Sequence, residues 1–297
     1  MSPLPPLRIV IGFSPGSASD DIAHLIAAPL GKHLGRDVII ERIAGDSGTR
    51  GARAVAQSAP DGNTLFVATL GTHALAPHVR KDLPYDAQRD FEPVSLLTLS
   101  PMLLACHPEL PARDIQSLLA HARSNPGALA YGTSAIGGAP HLAAELFQSI
   151  TGVQLRHARY DETNQLYADL EAGRIALSFN NIMSILPRCT SGKLRALGVT
   201  SVGRLPCVPD VPTFAENGVP GFYMSNWLGL VAPHSTPRNL LETIEKAVTA
   251  VMLSREIATA LNANGITPTI VSPEAFGGHI ASEIKRWAPV VARFAGA

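Results

Sequence analysis

The strand Arg8-Ile9-Val10-Ile11 runs straight into Gly12-Phe13-Ser14-Pro15-Gly16-Ser17, and a helical pattern follows from about Asp20. A short run rich in β-branched residues suits a buried parallel strand. Gly12, Pro15 and Gly16 break the extended run. Ser19 or Asp20 is the expected cap of a helix whose apolar positions are Ile22, Leu25, Ile26 and Leu30. A helix starting at the carboxyl end of a strand points free N–H groups and its positive dipole end above the sheet, a seat for a carboxylate or phosphate. The same segment also reads as an ordinary βα connection, and most of those bind nothing.

The pattern recurs along the chain. Asp37–Glu41 reads as a second strand, and Gly45, Gly48 and Gly51 lead into a helix over Ala52–Ala59. That glycine spacing differs from the dinucleotide-binding Gly-x-Gly-x-x-Gly and reads as a close-packed helix start. Thr64–Ala68 is a third strand, ending in the small polar loop Thr69-Leu70-Gly71-Thr72-His73. Strands alternating with helices at this rhythm predict an α/β fold with a mostly parallel sheet. Phe91–Leu97 and Met102–Cys106 read as two further strands, the second carrying the chain into another lobe.

There, Ala128–Gly132 is a strand, and the loop Thr133-Ser134-Ala135-Ile136-Gly137-Gly138 opens a helix over Pro140–Thr151, with Pro140 in its first turn. Ile175–Phe179 ends at Asn180-Asn181, polar where a ligand would sit. Ser225–Pro233 reads as the return to the first lobe, followed by the helices Pro237–Leu253, Arg255–Asn264 and Pro273–Ala292. The expected division is residues 1–101 with 225–297 in one lobe and 102–224 in the other. Two such strand–loop–helix seats, one per lobe, can hold a ligand between them.

Composition narrows the function. The 297 residues carry 24 acidic and 24 basic side chains, which offers no global field for nucleic acid or an anionic membrane. Aromatics make up 5%, which disfavours a stacking platform for sugars or bases. Cys106, Cys189 and Cys207 are too few and scattered for a zinc cluster. No run of 18 apolar residues is present, and Met-Ser-Pro-Leu-Pro-Pro lacks the pattern of a signal peptide.

The motifs, taken in order, resemble the solute-binding proteins of tripartite tricarboxylate transporters, the Bug family. They are Phe13–Asp20, Ala59–Leu65, Tyr131–Leu142, Asp169–Gly173, Gly192–Ser201, Pro209–Thr213 and Trp227–Pro233. The resemblance implies a two-lobed periplasmic-binding-protein fold of type II, a periplasmic location, a monomer without cofactor or metal, and delivery of a small carboxylated ligand to membrane permease subunits. A sensor presenting its bound form to a signalling partner fits the same resemblance.

The resemblance also implies a ligand site. Phe13, Ser14, Pro15, Gly16, Ser17 and Asp20 would meet one carboxylate largely through backbone N–H groups. Thr69, Leu70, Gly71 and Thr72 would close its side. Thr133, Ser134, Ala135, Gly137, Gly138, His141, Tyr160, Asn180 and Asn181 would meet the ligand from the second lobe. Ser17 stands where the family usually has glycine, and Tyr160-Asp161-Glu162 stands where many relatives read Tyr-Lys-Gly. Two acids replacing a cation argue against a purely anionic, tricarboxylate-like ligand and for an amino-acid-like or less charged one; Asp161 and Glu162 read equally as a solvated loop and helix cap.

Catalysis is not expected. Ser14, Ser17, Ser134 and His141 lack a Gly-x-Ser-x-Gly elbow and an ordered acid partner. His73, His78, His141 and His157 have poor spacing for a metal. His141 reads instead as a residue that orients its loop or a water, and Asp20 as a helix cap.

Overall fold

The computed structural model describes residues 4–134 and 136–292. In chain order the elements are β1 (Leu7–Ile11), α1 (Ala18–Leu34), β2 (Val38–Arg42), α2 (Thr49–Ala56), β3 (Thr64–Thr69), α3 (Ala76–Val79), β4 (Phe91–Cys106) and α4 (Ile115–Ser124). They continue with β5 (Ala130–Thr133), α5 (Ala139–Thr151), β6 (Arg156–Arg159), α6 (Thr163–Glu171), β7 (Leu177–Asn181), α7 (Ile182–Thr190) and β8 (Arg195–Val199). The last are β9 (Ser225–Pro233), α8 (Arg238–Met252), α9 (Arg255–Ala263), β10 (Thr267–Pro268) and α10 (Pro273–Val291).

The chain divides into two compact units, the first holding residues up to Leu99, Trp227–Leu261 and residues from Thr267 onward. The second holds Ser100–Asn226 and the short return Asn262–Ile266. The expected boundaries were 101/102 and 224/225.

In the first unit β1 lies between β2 and β3 and is parallel to both, with Ile9 opposite Ile40 on one side and Leu65 on the other. Leu7, Ile9, Val10 and Ile11 are fully buried, and so are Leu65, Phe66, Val67 and Ala68 of β3. That is why both strands read as nearly continuous apolar runs. β9 runs antiparallel to β3, setting Thr69 opposite Leu228. Because β1 and β3 are parallel, the loops after Ile11 and Thr69 leave the sheet at the same end.

In the second unit Met102–Cys106 of β4 pairs antiparallel with β7 and with β8. β5 is parallel to β7 and to β6, with Tyr131 opposite both Leu177 and His157. Thr133 and Asn181 therefore end their strands on the same side of this sheet. Four rings close the core: Phe147, Phe179, Phe214 and Phe222, each at most 1% exposed. Phe214 and Phe222 lie 4.3 Å apart in the segment between β8 and β9, which these rings anchor without regular structure.

Three expectations need correction. The two strands expected at 91–97 and 102–106 are one strand of 16 residues, β4. The loop expected at Thr69–His73 is helical, a π-turn over Gly71–Leu75 that continues into α3. A further helix, α7, follows Asn181 directly, where none was expected.

Candidate functional site

In the first unit α1 begins at Ala18, and its cap is Ser17 rather than Ser19 or Asp20. Ser17 has extended backbone angles, and its Oγ accepts the Asp20 N–H at 3.4 Å. Gly16, at φ +80°, supplies the left-handed turn before it. The Gly16 N–H donates to Asp20 Oδ2 at 3.1 Å, and the Ser17 N–H donates to the Ser14 carbonyl at 3.3 Å. Two of the N–H groups expected to meet a carboxylate are thus engaged within the loop. In the first turn of α1 the Ala18 and Ser19 N–H groups have no intrahelical acceptor.

Asp20 acts as the brace of this loop. Its Oδ1 accepts Arg42 Nε at 2.9 Å and Nη2 at 2.7 Å, while Oδ2 holds Gly16. Arg42 Nη2 also donates to His24 Nε2 at 3.1 Å, so His24 Nδ1–H donates to the Asp20 carbonyl at 2.9 Å. Arg42 offsets the charge of Asp20 beside the seat.

A Ser17→Ala variant should lose about 1 kcal/mol of stability with the loss of the cap, whereas Ser17→Gly should lose only a few tenths. Urea unfolding of the two variants checks this, and equal losses would deny Ser17 its capping role.

Thr69 and Thr72 are tied to each other. The Thr69 N–H donates to Thr72 Oγ1 at 3.0 Å, and the Thr72 N–H donates to Thr69 Oγ1 at 3.1 Å. Tyr85 donates its hydroxyl to the Thr72 carbonyl at 2.7 Å. Leu70, Gly71 and Thr72 are buried with them. Next along, His73 is fully buried among Phe66, Tyr85 and Phe91, with Nδ1 3.0 Å from Thr72 Oγ1. Burial in that apolar box pushes its pKa down to about 3.

Gly48, whose spacing pointed only to packing, lies between these loops. A Cβ added there would stand 2.8 Å from both Phe13 Cζ and Thr72 Cγ2.

In the second unit Thr133 ends β5, Ser134 follows it, and Ala135 lies outside the described residues. Gly137, at φ +72°, turns the chain into Gly138, the N-cap of α5, which offers no side-chain cap. The Gly137 N–H donates to His141 Nδ1 at 3.1 Å. Ser134 Oγ accepts Thr163 Oγ1 at 3.2 Å, which ties this loop to the start of α6. Thr133 Oγ1 lies 2.7 Å from His157 Nε2.

Tyr160 donates its hydroxyl to Asp169 Oδ2 at 2.8 Å, and burial with this bond pushes its pKa up to about 12. Asp161 is exposed and pairs loosely with Arg159 at 3.4 Å, while Glu162 precedes α6 without capping it. Asn180 donates to Ser178 Oγ at 2.8 Å. Asn181 Oδ1 accepts Asn226 Nδ2 at 2.9 Å. Asn226 was not among the expected residues; its partner lies 45 positions away in the sequence, and no local motif signals it.

Each unit thus presents a helix N-terminus at the carboxyl end of a parallel strand, framed by neutral hydroxyls and amides. Such a seat stabilises an anion through oriented dipoles, with no cation aimed at it. His141 faces Gly137 and Glu145, and Ser134 faces Thr163, so these two form no nucleophile–base pair. Among the described residues no three His, Cys, Asp or Glu side chains converge as metal ligands, and no helix is long and apolar enough to cross a membrane.

The chain is 33% identical over 290 residues to Protein BugT of Bordetella pertussis, covering 97% of this chain and 89% of that protein. Its structure matches Rpa4515 of R. palustris, solved with adipate, at a TM-score of 0.95 and 34% identity, covering 100% and 99% of the two chains. It matches MatC from Rhodopseudomonas palustris, with bound malate, at a TM-score of 0.91 and 31% identity over 96% and 98%. The family described as the tripartite tricarboxylate transporter family receptor matches residues 22–295. The chain therefore belongs to that family of periplasmic solute-binding receptors, together with the Bug proteins.

Proposed function

We propose that this receptor captures a small carboxylated organic ligand, an organic acid or acidic amino acid, and delivers it to a permease of the tripartite tricarboxylate type. The observation that carries this reading is the recurrence, at α1 in one unit and α5 in the other, of a helix N-terminus with small hydroxyls and glycines. The solved relatives with adipate and with malate support a carboxylate as the recognised group. The Ala18, Ser19 and Gly138 N–H groups are the donors assigned to it, with the Gly137 N–H spent on His141. Asp20 is assigned to bracing the loop rather than to contact, since its carboxylate is already shared by Gly16 and Arg42.

A thermal-shift panel of adipate, malate, aspartate and glutamate tests the reading. At 100 times its dissociation constant a ligand adds about 2.7 kcal/mol to stability, which raises the melting temperature by several degrees. Gly16→Val should abolish the rise, because it forces a branched side chain into a left-handed position at the mouth of α1. A flat response across the panel, on protein shown free of co-purified ligand, would overturn carboxylate capture. Uptake of the binding carboxylate by cells carrying the permease, lost when the receptor is deleted, tests delivery.

A further inference from the structure

The loop ahead of α5 is held by a side chain one helical turn into that helix. We propose that His141 is the positioning residue of the second seat: as the neutral Nε2–H tautomer it accepts the Gly137 N–H on Nδ1 and fixes the Gly137–Gly138 turn, and protonation of the ring releases it. This rests on the reading of that turn as part of the ligand site.

The geometry allows one tautomer. An imidazole nitrogen that accepts an N–H cannot itself carry a proton. With the Gly137 N–H donating to Nδ1 at 3.1 Å, the ring proton lies on Nε2. That nitrogen faces Glu145 Oε1 on the same helix, 3.8 Å away. In the imidazolium form Nδ1–H would point at the Gly137 N–H, and a bond would become a donor–donor contact. The Ser134–Thr163 bond holds the start of the loop, before the turn itself. Gly138 caps the helix without a side chain, and both turn residues are glycines, the most costly to order.

The surroundings favour the neutral ring. From β5, Tyr131 stacks at 6.3 Å, and from β6, His157 lies 4.6 Å away at 30°. Tyr131 donates its hydroxyl to Glu145 Oε1, and Gln148 Nε2 donates to the same oxygen at 3.1 Å. Glu145 is thus the one group that favours a proton on His141, and its Oε1 already accepts two bonds. Burial outweighs it and holds His141 below its ordinary 6.5. His157, crowded by burial, by His141 and by Arg159, is pushed down to about 4. Two imidazolium rings at this separation repel, so protonation of one opposes that of the other. Above pH 6.5 both rings are neutral and the turn is pinned. As pH falls through the His141 pKa, the Gly137 bond opens.

NMR on ligand-free protein labelled with 15N-histidine and 15N-glycine tests this without depending on any carboxylate. At pH 7.5 the expected signature is an unprotonated Nδ1 and a protonated Nε2 on His141, with slow exchange of the Gly137 amide. On acidification the Gly137 shift should follow the His141 titration, and the protection of its amide, taken relative to the intrinsic exchange rate at each pH, should fall about tenfold as the bond is lost. His141→Leu should show the low protection at every pH. His141→Asn, whose carbonyl accepts an N–H but does not titrate, should restore the protection and keep it constant across the titration. A proton on Nδ1 at pH 7.5, or a Gly137 amide indifferent to the His141 titration, would overturn the assignment. Failure of the carboxylate panel would instead strike at the ligand reading and leave these signals as measured.

Discussion

Alanine in place of Gly12 is expected to destabilise the protein by about 3 kcal/mol or more, at the upper end of overpacking costs. The Cβ would stand 2.6 Å from the Gly48 carbonyl oxygen, 2.7 Å from its Cα and 3.1 Å from its carbonyl carbon. All three are backbone atoms, so no rotamer change can relieve the contact. The approach is mutual, since a Cβ on Gly51 would stand 3.0 Å from Gly12 Cα. Relief requires the end of β1 or the start of α2 to move, and Gly48 is itself boxed by Phe13 and Thr72. The variant should therefore lose ligand response along with stability. Gly35→Ala is the control: Gly35 sits at φ +64° with nothing within 4 Å of an added Cβ. Its cost should be conformational strain alone, about 1 kcal/mol. Urea unfolding of both variants separates the effects, and equal losses would mean that the Gly12–Gly48 contact contributes nothing of its own.

The same contact shows how sequence spacing carried structure. Gly45-x-x-Gly48-x-x-Gly51 pointed to a close-packed helix start, and Gly48 and Gly51 are the residues against which Gly12 packs. The spacing could not disclose what else meets there, because Phe13 and Thr72 arrive from two other strands. The parallel core was equally legible, since burial on both faces leaves β1 and β3 as nearly continuous apolar runs. β4 was not. Pro101 interrupts the run of strand-forming residues, yet it falls between the ladder to β10, which ends at Leu99, and the ladder to β7, which starts at Met102. A proline N–H is not missed where the strand changes partners.

The seats themselves followed from strand ends and small residues, but the spending of their donors did not. Gly16 turns its N–H inward because Asp20 is held by Arg42, 22 positions further on. Thr69 and Thr72 satisfy each other because the chain coils into a π-turn, a local choice that small residues at a strand end did not announce. Ser17 is first a helix cap. Any contact it makes with a ligand must come from the same hydroxyl that holds Asp20 N–H.

Acid should weaken this protein through His73. The buried ring has a pKa of about 3, against 6.5 for an unperturbed histidine. Between those values the unfolded chain binds a proton that the folded chain refuses, so stability falls as pH falls. The contribution is fully present above pH 6.5 and is lost at up to about 1.4 kcal/mol per pH unit below it, roughly 3 kcal/mol by pH 4.5. The box cannot relax to admit the charge: Phe91 lies 4.8 Å from the ring, Phe66 5.9 Å and Tyr85 6.2 Å, and Nε2 has no partner among the described residues. His73→Phe fills the same space without titrating. Urea unfolding of both proteins at pH 7.5, 6.5, 5.5 and 4.5 should show a pH slope shallower by about one proton in the variant. Parallel slopes would exclude His73 as the acid-labile group.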